Sequence, residues 1–255
     1  MSSSNVSDII RERHVCAVMP TYNNVATVLH VIRQVLQLVP AVIVVDDGST
    51  DGTAHAITQA ALRGVTLVSY APNRGKGHAL VTGFRHAMQM GYDYAVTIDS
   101  DGQHYAADIP LLLQPLADPA ADALVVGERD MNQPNMPQGN SFANRFSNFW
   151  FTLQTGVRLR DTQTGFRVYP LRRLRWLGLT TSRYEAELQM LVFAAWHGTP
   201  IVPVGVRVYY PPRGERVTHF RPVADFARIS LLNVALCFGA VVYGWPCRLW
   251  RKIRL

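Results

Sequence analysis

Cysteine is scarce: three in 255 residues, Cys16, Cys237 and Cys247, with no C-x-x-C or Cys/His ligand spacing. That excludes a disulfide scaffold and a structural zinc site of ordinary spacing, and it points to a reducing compartment. Acid is also in deficit. Lys and Arg number 25 against 18 Asp and Glu, a net charge of +7, which suits an anionic partner such as a nucleotide, a phosphorylated substrate or an acidic membrane surface. Nothing beyond that charge favours nucleic acid. The phosphate-binding glycine loops G-x-G-x-x-G and G-x-x-x-x-G-K-[ST] are missing, so the common dinucleotide and P-loop readings have no support. No repeat, low-complexity tract or long polar linker divides the chain. Its opening, "MSSSNVSDIIRERH", has no continuous apolar stretch of the secretory kind, and the expected location of the catalytic portion is the cytoplasmic side.

What is present is apolar. The hydrophobic fraction is 48%, enough for a sizeable core. Runs rich in β-branched residues occur at 14–20, 41–47, 65–70, 93–99 and 123–129. They are continuous rather than alternating, and helical patterns separate most of them, which predicts an α/β fold with a mostly parallel sheet covered on both faces. Val25, Val28, Leu29, Ile32, Val35 and Leu36 form a core-facing helical stripe between the first two strands.

Polar residues collect at the carboxyl ends of these strands: "TYNN" (21–24), "DDGSTDG" (46–52), "APNRGKG" (71–77), "DSDGQH" (99–104) and "GERD" (127–130). Single clusters of this kind are turns. Five on one edge of a parallel sheet predict a shared ligand crevice. Asp99 and Asp101 fall on the same side of an extended chain, so their carboxylates repel unless a cation or proton intervenes. Two hard oxygen donors, with Gln103 as a third, suit Mg²⁺ or Mn²⁺ whose shell a nucleotide's phosphates complete. His104 is expected to pack or hydrogen-bond rather than ligate. Asp51 or Ser49 is expected to cap the helix that begins near Thr53.

Taken together, "MPTYNN", "VIVVDDGSTDGT", "NRGKGHAL", "TIDSDGQH" and "DTQTGFRVY" resemble the family-two glycosyltransferases of GT-A (Rossmann-like) fold, above all the branch of dolichyl-phosphate mannose synthases and polyprenyl-phosphate sugar transferases. The likeness covers residues 14 to about 205. It implies inverting sugar transfer from a UDP- or GDP-sugar donor. On this resemblance Pro20, Tyr22, Asn24, Asp46, Asp47, Lys76 and Asp99 bind the nucleotide sugar, and Asp99, Asp101 and Gln103 hold the metal. Arg129, Arg145 and Arg167 bind the acceptor, and Asp101, Arg129, Glu185 and Glu187 form the catalytic set. The branch usually has glutamate where Asn24 stands, so one carboxylate contact to the nucleotide is missing. Two acceptor chemistries stay open. A lipid phosphate is already anionic and needs only orientation and charge compensation, whereas a hydroxyl needs a base, for which Glu185 and Glu187 are the candidates. Around "DTQTGF", Arg158, Arg160 and Arg167 either supply positive charge to a phosphate or form a solvated basic face.

The expected division is a polar segment 1–13, a catalytic domain 14–215 and a membrane-associating segment 216–255. Ile229 to Cys247 carries no formal charge over 19 residues, with Arg248, Arg251, Lys252 and Arg254 behind it. Spanning would carry that basic tail across, against the positive-inside preference. An amphipathic helix in the membrane plane, or a re-entrant one, is the favoured reading, ahead of a single span or burial in the fold or in a homo-oligomer interface. Phe220, Val223, Phe226 and Ile229 with Arg221 and Arg228 extend the amphipathic pattern upstream.

Overall fold

In the computed structural model, residues 3–130, 138–174, 181–210 and 222–253 are described, side chains at 3–5, 138–142, 222–226 and 252 excepted. The Phe220, Arg221, Val223 and Phe226 pattern and the boundary at 215/216 lie outside what is described.

The apolar runs form β1 (Val15–Thr21), β2 (Val42–Asp46), β3 (Val65–Ser69), β4 (Tyr94–Thr97) and β5 (Leu124–Arg129), joined by β6 (Arg167–Pro170) and β7 (Ile201–Val206). One seven-stranded sheet results, in the order β3-β2-β1-β4-β6-β5-β7. Every strand pair is parallel except the two that involve β6. The sheet is thus mostly parallel, as expected. The reversal at β6 matters for function, because Arg167 pairs with Thr97 and the loop entering β6 is thereby delivered to the edge where β4 ends.

Helices cover both faces. All seven residues of β1 are buried and alternate between two cores, as side chains on a pleated strand must. Val15, Ala17 and Met19 pack with α1 (Ser3–Glu12), α2 (Val28–Leu36) and α5 (Ile109–Leu113). Cys16 and Val18 pack with α4 (Lys76–Gln89), α6 (Gln138–Thr155), α7 (Glu185–Trp196) and α8 (Pro222–Gly239). The segment 1–13 is less separate than its polarity suggests, since Val6, Ile9 and Ile10 of α1 join the first core. The stripe before β2 needs one correction. Val25 is exposed and precedes α2, where its N–H is held by Asp51 (3.0 Å). The N-cap of α3 (Thr53–Ala60) is Gly52, so neither Asp51 nor Ser49 holds that position, although Asp51, one residue earlier, accepts the Thr53 N–H (3.0 Å).

α8 runs through a π-helical turn at Ala240–Gly244 into α9 (Trp245–Ile253). That widened turn lets Gly239 and Gly244 pass over the Trp196 indole, where an added Cβ would stand 2.9 and 2.4 Å from ring atoms.

Candidate active site

Four of the five polar clusters line a single cavity of about 760 Å³ at the carboxyl edge of β1, β2, β3 and β4. Pro20, Tyr22 and Asn24 come from the end of β1, and Asp47 from β2. Lys76 enters from α4, and Asp99, Asp101 and Gln103 follow β4. Two lining residues that the motifs did not single out, Arg183 and Tyr184, approach from the segment before α7.

The wall is stiffened by polar contacts. Asn24 donates its amide to the Tyr22 carbonyl (3.2 Å) and to Ser100 Oγ (3.0 Å), so the amide that replaces an acid secures the β1 loop to the segment after β4. Asp47 accepts the backbone N–H groups of Arg74 (2.7 Å) and Gly75 (2.8 Å), fixing the loop before α4. Asp46 belongs elsewhere. It is buried, accepts the Ser49 N–H (3.2 Å) and does not line the cavity, because successive residues at a strand end point to opposite sides. The expected pairing of Asp46 and Asp47 on the nucleoside therefore reduces to Asp47.

Lys76 occupies the centre of the charge distribution. Its ammonium lies 2.7 Å from Asp99 Oδ1 and 3.0 Å from Glu187 Oε2. Burial alone would lower its pKa, yet the two carboxylates hold it above the ordinary lysine value. Burial likewise opposes ionisation of Asp99, and the Lys76 ammonium overcomes it, keeping this carboxyl below the usual range. Asp101 has no such partner. Burial, then the neighbouring Asp99 charge, push it up to about 6, while its Oδ1 accepts the Gln103 N–H (2.9 Å). His104 packs its ring on Phe166 at 5.1 Å, and burial takes its pKa down to about 4, which agrees with a neutral packing role.

The donor set fits a divalent cation. Of the three carboxylates that line the cavity, Asp99 and Asp101 stand together while Asp47 is engaged by the loop before α4, and among the described residues no group of three or more His, Cys, Asp or Glu forms a closed cage. That is the arrangement for an ion that shares its shell with phosphate oxygens. A pH dependence follows. Because Asp101 binds its proton more readily folded than unfolded, the stability it lends is full below the unfolded carboxylate pKa and is lost as pH rises through about 6. A cation on the ionised pair offsets that loss, so the Mn²⁺-induced rise in Tm should grow between about pH 5 and pH 7. A rise that is flat across thermal melts in that range contradicts the assignment.

Arg129, at the end of β5, is gripped by Asp161 through Nε (2.6 Å) and Nη2 (3.0 Å), and its charge still contributes to keeping Asp99 ionised. The wholly buried Asp161 was quoted in a motif but carried no expected role. Arg145, with Arg158 and Arg160, lines a second cavity of about 630 Å³ that shares no residue with the first. Arg167 requires a correction. It is fully buried and donates to Tyr169 Oη, the Glu187 carbonyl and the Thr162 carbonyl, each at 2.9 Å, so its charge is spent inside the fold. Its position in a short antiparallel strand turns it inward. Arg167→Ala should cost about 2–4 kcal/mol of stability by stranding buried acceptors, with acceptor KM unchanged in the protein that remains folded. A raised acceptor KM at unaltered Tm would restore it to the site.

The two glutamates at the start of α7 also separate. Both are buried and neither lines the cavity; Glu187 reaches Lys76, whereas Glu185 has Oε2 unpaired among the described residues.

A mostly parallel sheet whose strand ends hold an Asp-x-Asp pair over a cavity of about 760 Å³ is what a glycosyltransferase of GT-A architecture requires. The chain belongs to glycosyl transferase family 2, whose profile matches residues 16–177. Among its relatives is the UDP-N-acetylglucosamine–dolichyl-phosphate N-acetylglucosaminyltransferase of Methanococcus voltae, 29% identical over 213 residues, covering 76% of this chain and 84% of the relative. The undecaprenyl-phosphate mannosyltransferase of Micrococcus luteus is 30% identical over 211 residues, covering 79% and 86%. In fold the chain is similar to glucosyl-3-phosphoglycerate synthase from Mycobacterium tuberculosis, solved with Mn²⁺, UDP and phosphoglyceric acid, at a TM-score of 0.68 and 22% identity over 94% of this chain and 82% of that one.

Proposed function

We propose that this glycosyltransferase moves a hexose from a UDP- or GDP-sugar to a polyprenyl phosphate, with inversion, at the cytoplasmic face of a membrane. The observation that carries the reading is the Asp99/Asp101 pair in the cavity wall; Arg129 stands behind that wall, paired with Asp161. The acceptors named for the relatives in Methanococcus and Micrococcus agree with it.

In the proposed reaction Tyr22, Pro20 and Asp47 border the nucleoside, and Asp99, Asp101 and Gln103 would hold Mg²⁺ or Mn²⁺. The cation, when bound, neutralises charge on the departing diphosphate. An acceptor phosphate oxygen attacks the sugar C1 from the face opposite the diphosphate, the C1–O bond to that diphosphate breaks, and nucleoside diphosphate leaves. Arg129 pairs with the acceptor phosphate and offsets the repulsion between two anionic reactants. No proton has to be removed from a phosphate. That suits a site whose cavity is lined by neither Glu185 nor Glu187, with Glu187 already engaged by Lys76.

The membrane part rests on α8 and α9. Ala227–Arg251 is, among the described residues, the one helix long and apolar enough to cross a bilayer. It is held to the catalytic domain along its length. Gln154 donates to Asn233 Oδ1 (3.0 Å), Arg248 to the Thr155 carbonyl (2.5 Å), and Arg251 to the Trp196 carbonyl. Its other face exposes Leu231, Val234, Phe238, Val242, Leu249 and Trp250. A helix tethered at both ends with one apolar face outward suits the membrane plane better than a span.

The acceptor class is tested by two variants assayed at saturating donor. Arg129→Lys keeps the charge but loses the two-pronged hold on Asp161 that orients it, and should raise acceptor KM about tenfold or more. Glu187→Gln should retain measurable transfer. A fully active Arg129→Lys enzyme beside an inactive Glu187→Gln enzyme would reject the phosphate acceptor in favour of a hydroxyl.

A further inference from the structure

The Lys76 ammonium is a built feature, assembled from four parts of the chain. Lys76 opens α4, Asp99 follows β4, Glu187 stands in the first turn of α7, and Gly165 comes from the loop entering β6. The first turns of α4 and α7 are locked together at Gly77, where a Cβ would fall 2.2 Å from that of Ala186. Gly165 closes the opposite side. A Cβ there would stand 2.7 Å from Lys76 Nζ and 2.8 Å from Asp99 Oδ2, so a larger residue would make the ammonium or the carboxylate shift. The ammonium contacts both oxygens of Asp99, at 2.7 and 3.0 Å. Those are the oxygens a divalent cation would need, and two cations cannot share them without repulsion. Glu187, 3.0 Å away on its other side, offers the ammonium a second counter-charge.

We propose that Lys76 is the resident counter-cation of the metal site. It lies against both oxygens of Asp99 and holds that carboxylate in position until a divalent cation arrives. It then gives up Asp99, stays tethered by Glu187 and turns its ammonium to the donor's diphosphate. The inference rests on the metal-dependent reading above. Its consequence is thermodynamic: the cation alone is opposed by Lys76, whereas the cation together with a nucleoside diphosphate is not, so the two ligands bind with positive coupling.

The test is Mn²⁺ binding to the purified full-length protein, read from the electron paramagnetic resonance signal of free Mn²⁺, with and without UDP or GDP. Relative to wild type, Lys76→Met should bind Mn²⁺ alone at least about fivefold more tightly and should lose most of the enhancement by nucleotide. Glu187→Gln should move the other way, because it leaves the ammonium with Asp99 as its nearest counter-charge and makes the site more positive. This second variant keeps the test decisive if Lys76→Met fails to fold. Unchanged or weakened Mn²⁺ affinity in Lys76→Met, or unchanged or strengthened affinity in Glu187→Gln, overturns the inference while the metal assignment stands on wild-type binding. Absence of Mn²⁺ binding to the wild-type protein, with and without nucleotide, removes both.

Discussion

Asp101→Asn should abolish most turnover, by about 10²–10⁴-fold, while leaving Tm unchanged or slightly raised. The substitution keeps side-chain volume and an oxygen able to accept the Gln103 N–H, now 2.9 Å from Oδ1. It removes the carboxylate of the pair that makes no ion-pair contact with Lys76 and whose pKa burial and Asp99 already push up to about 6. The fold therefore loses a liability and the metal loses a charged ligand. If the cation carries the departing diphosphate's charge, several kcal/mol of barrier depend on it. Steady-state rates beside thermal melts separate the two effects. Near-wild-type kcat, or a collapse of Tm that accounts for the lost activity, would place Asp101 outside the metal site.

The second large effect is on folding. Asp161 is wholly buried and receives both Nε and Nη2 of Arg129, while its Oδ1 also accepts the Gln163 N–H (3.1 Å). Arg129→Ala should cost about 3–5 kcal/mol, because it leaves that carboxylate in the interior without a counter-charge. Burial would then raise the Asp161 pKa from its present lowered value, and the sign of the pH dependence follows. In the wild type this pair lends stability that is present above the unfolded carboxylate pKa and lost as pH falls toward the lowered one. The variant should lack that loss at low pH. Chemical denaturation at neutral and acid pH measures both, and a cost under about 1 kcal/mol would mean that the pair is solvated. Asp161 is thus a positioning residue for Arg129, which is why the acceptor assay uses Arg129→Lys rather than the alanine variant.

Much of this was legible in the sequence, and the exceptions have physical causes. Continuous apolar runs marked five strands within a residue or two at each end, since β1, β2 and β4, buried along their length, have no polar side to obscure them, and the edge strand β3 is still apolar and β-branched. The crevice was legible because turn residues recur at each carboxyl end. What pattern reading missed depends on contacts between distant segments. The four-residue β6 is too short to announce itself, and its reversed direction turns Arg167 inward. Asp46 and Asp47 look equivalent in a list of acids, but adjacent strand residues face opposite ways. The meeting of Lys76, Asp99 and Glu187 joins residues up to 111 positions apart in the chain, and Gly165, which makes room for it, looks like any turn glycine.

The central claim is tested most directly by incubating the purified enzyme and Mg²⁺ with vesicles that contain polyprenyl phosphate and with radiolabelled UDP- and GDP-sugars in turn. The account predicts that one donor moves its label into the lipid phase, with release of nucleoside diphosphate, and that mild acid frees the sugar from the product. Label that enters lipid only when a free polyprenol or glycan hydroxyl is supplied, or that never leaves the aqueous phase with any donor, would contradict it.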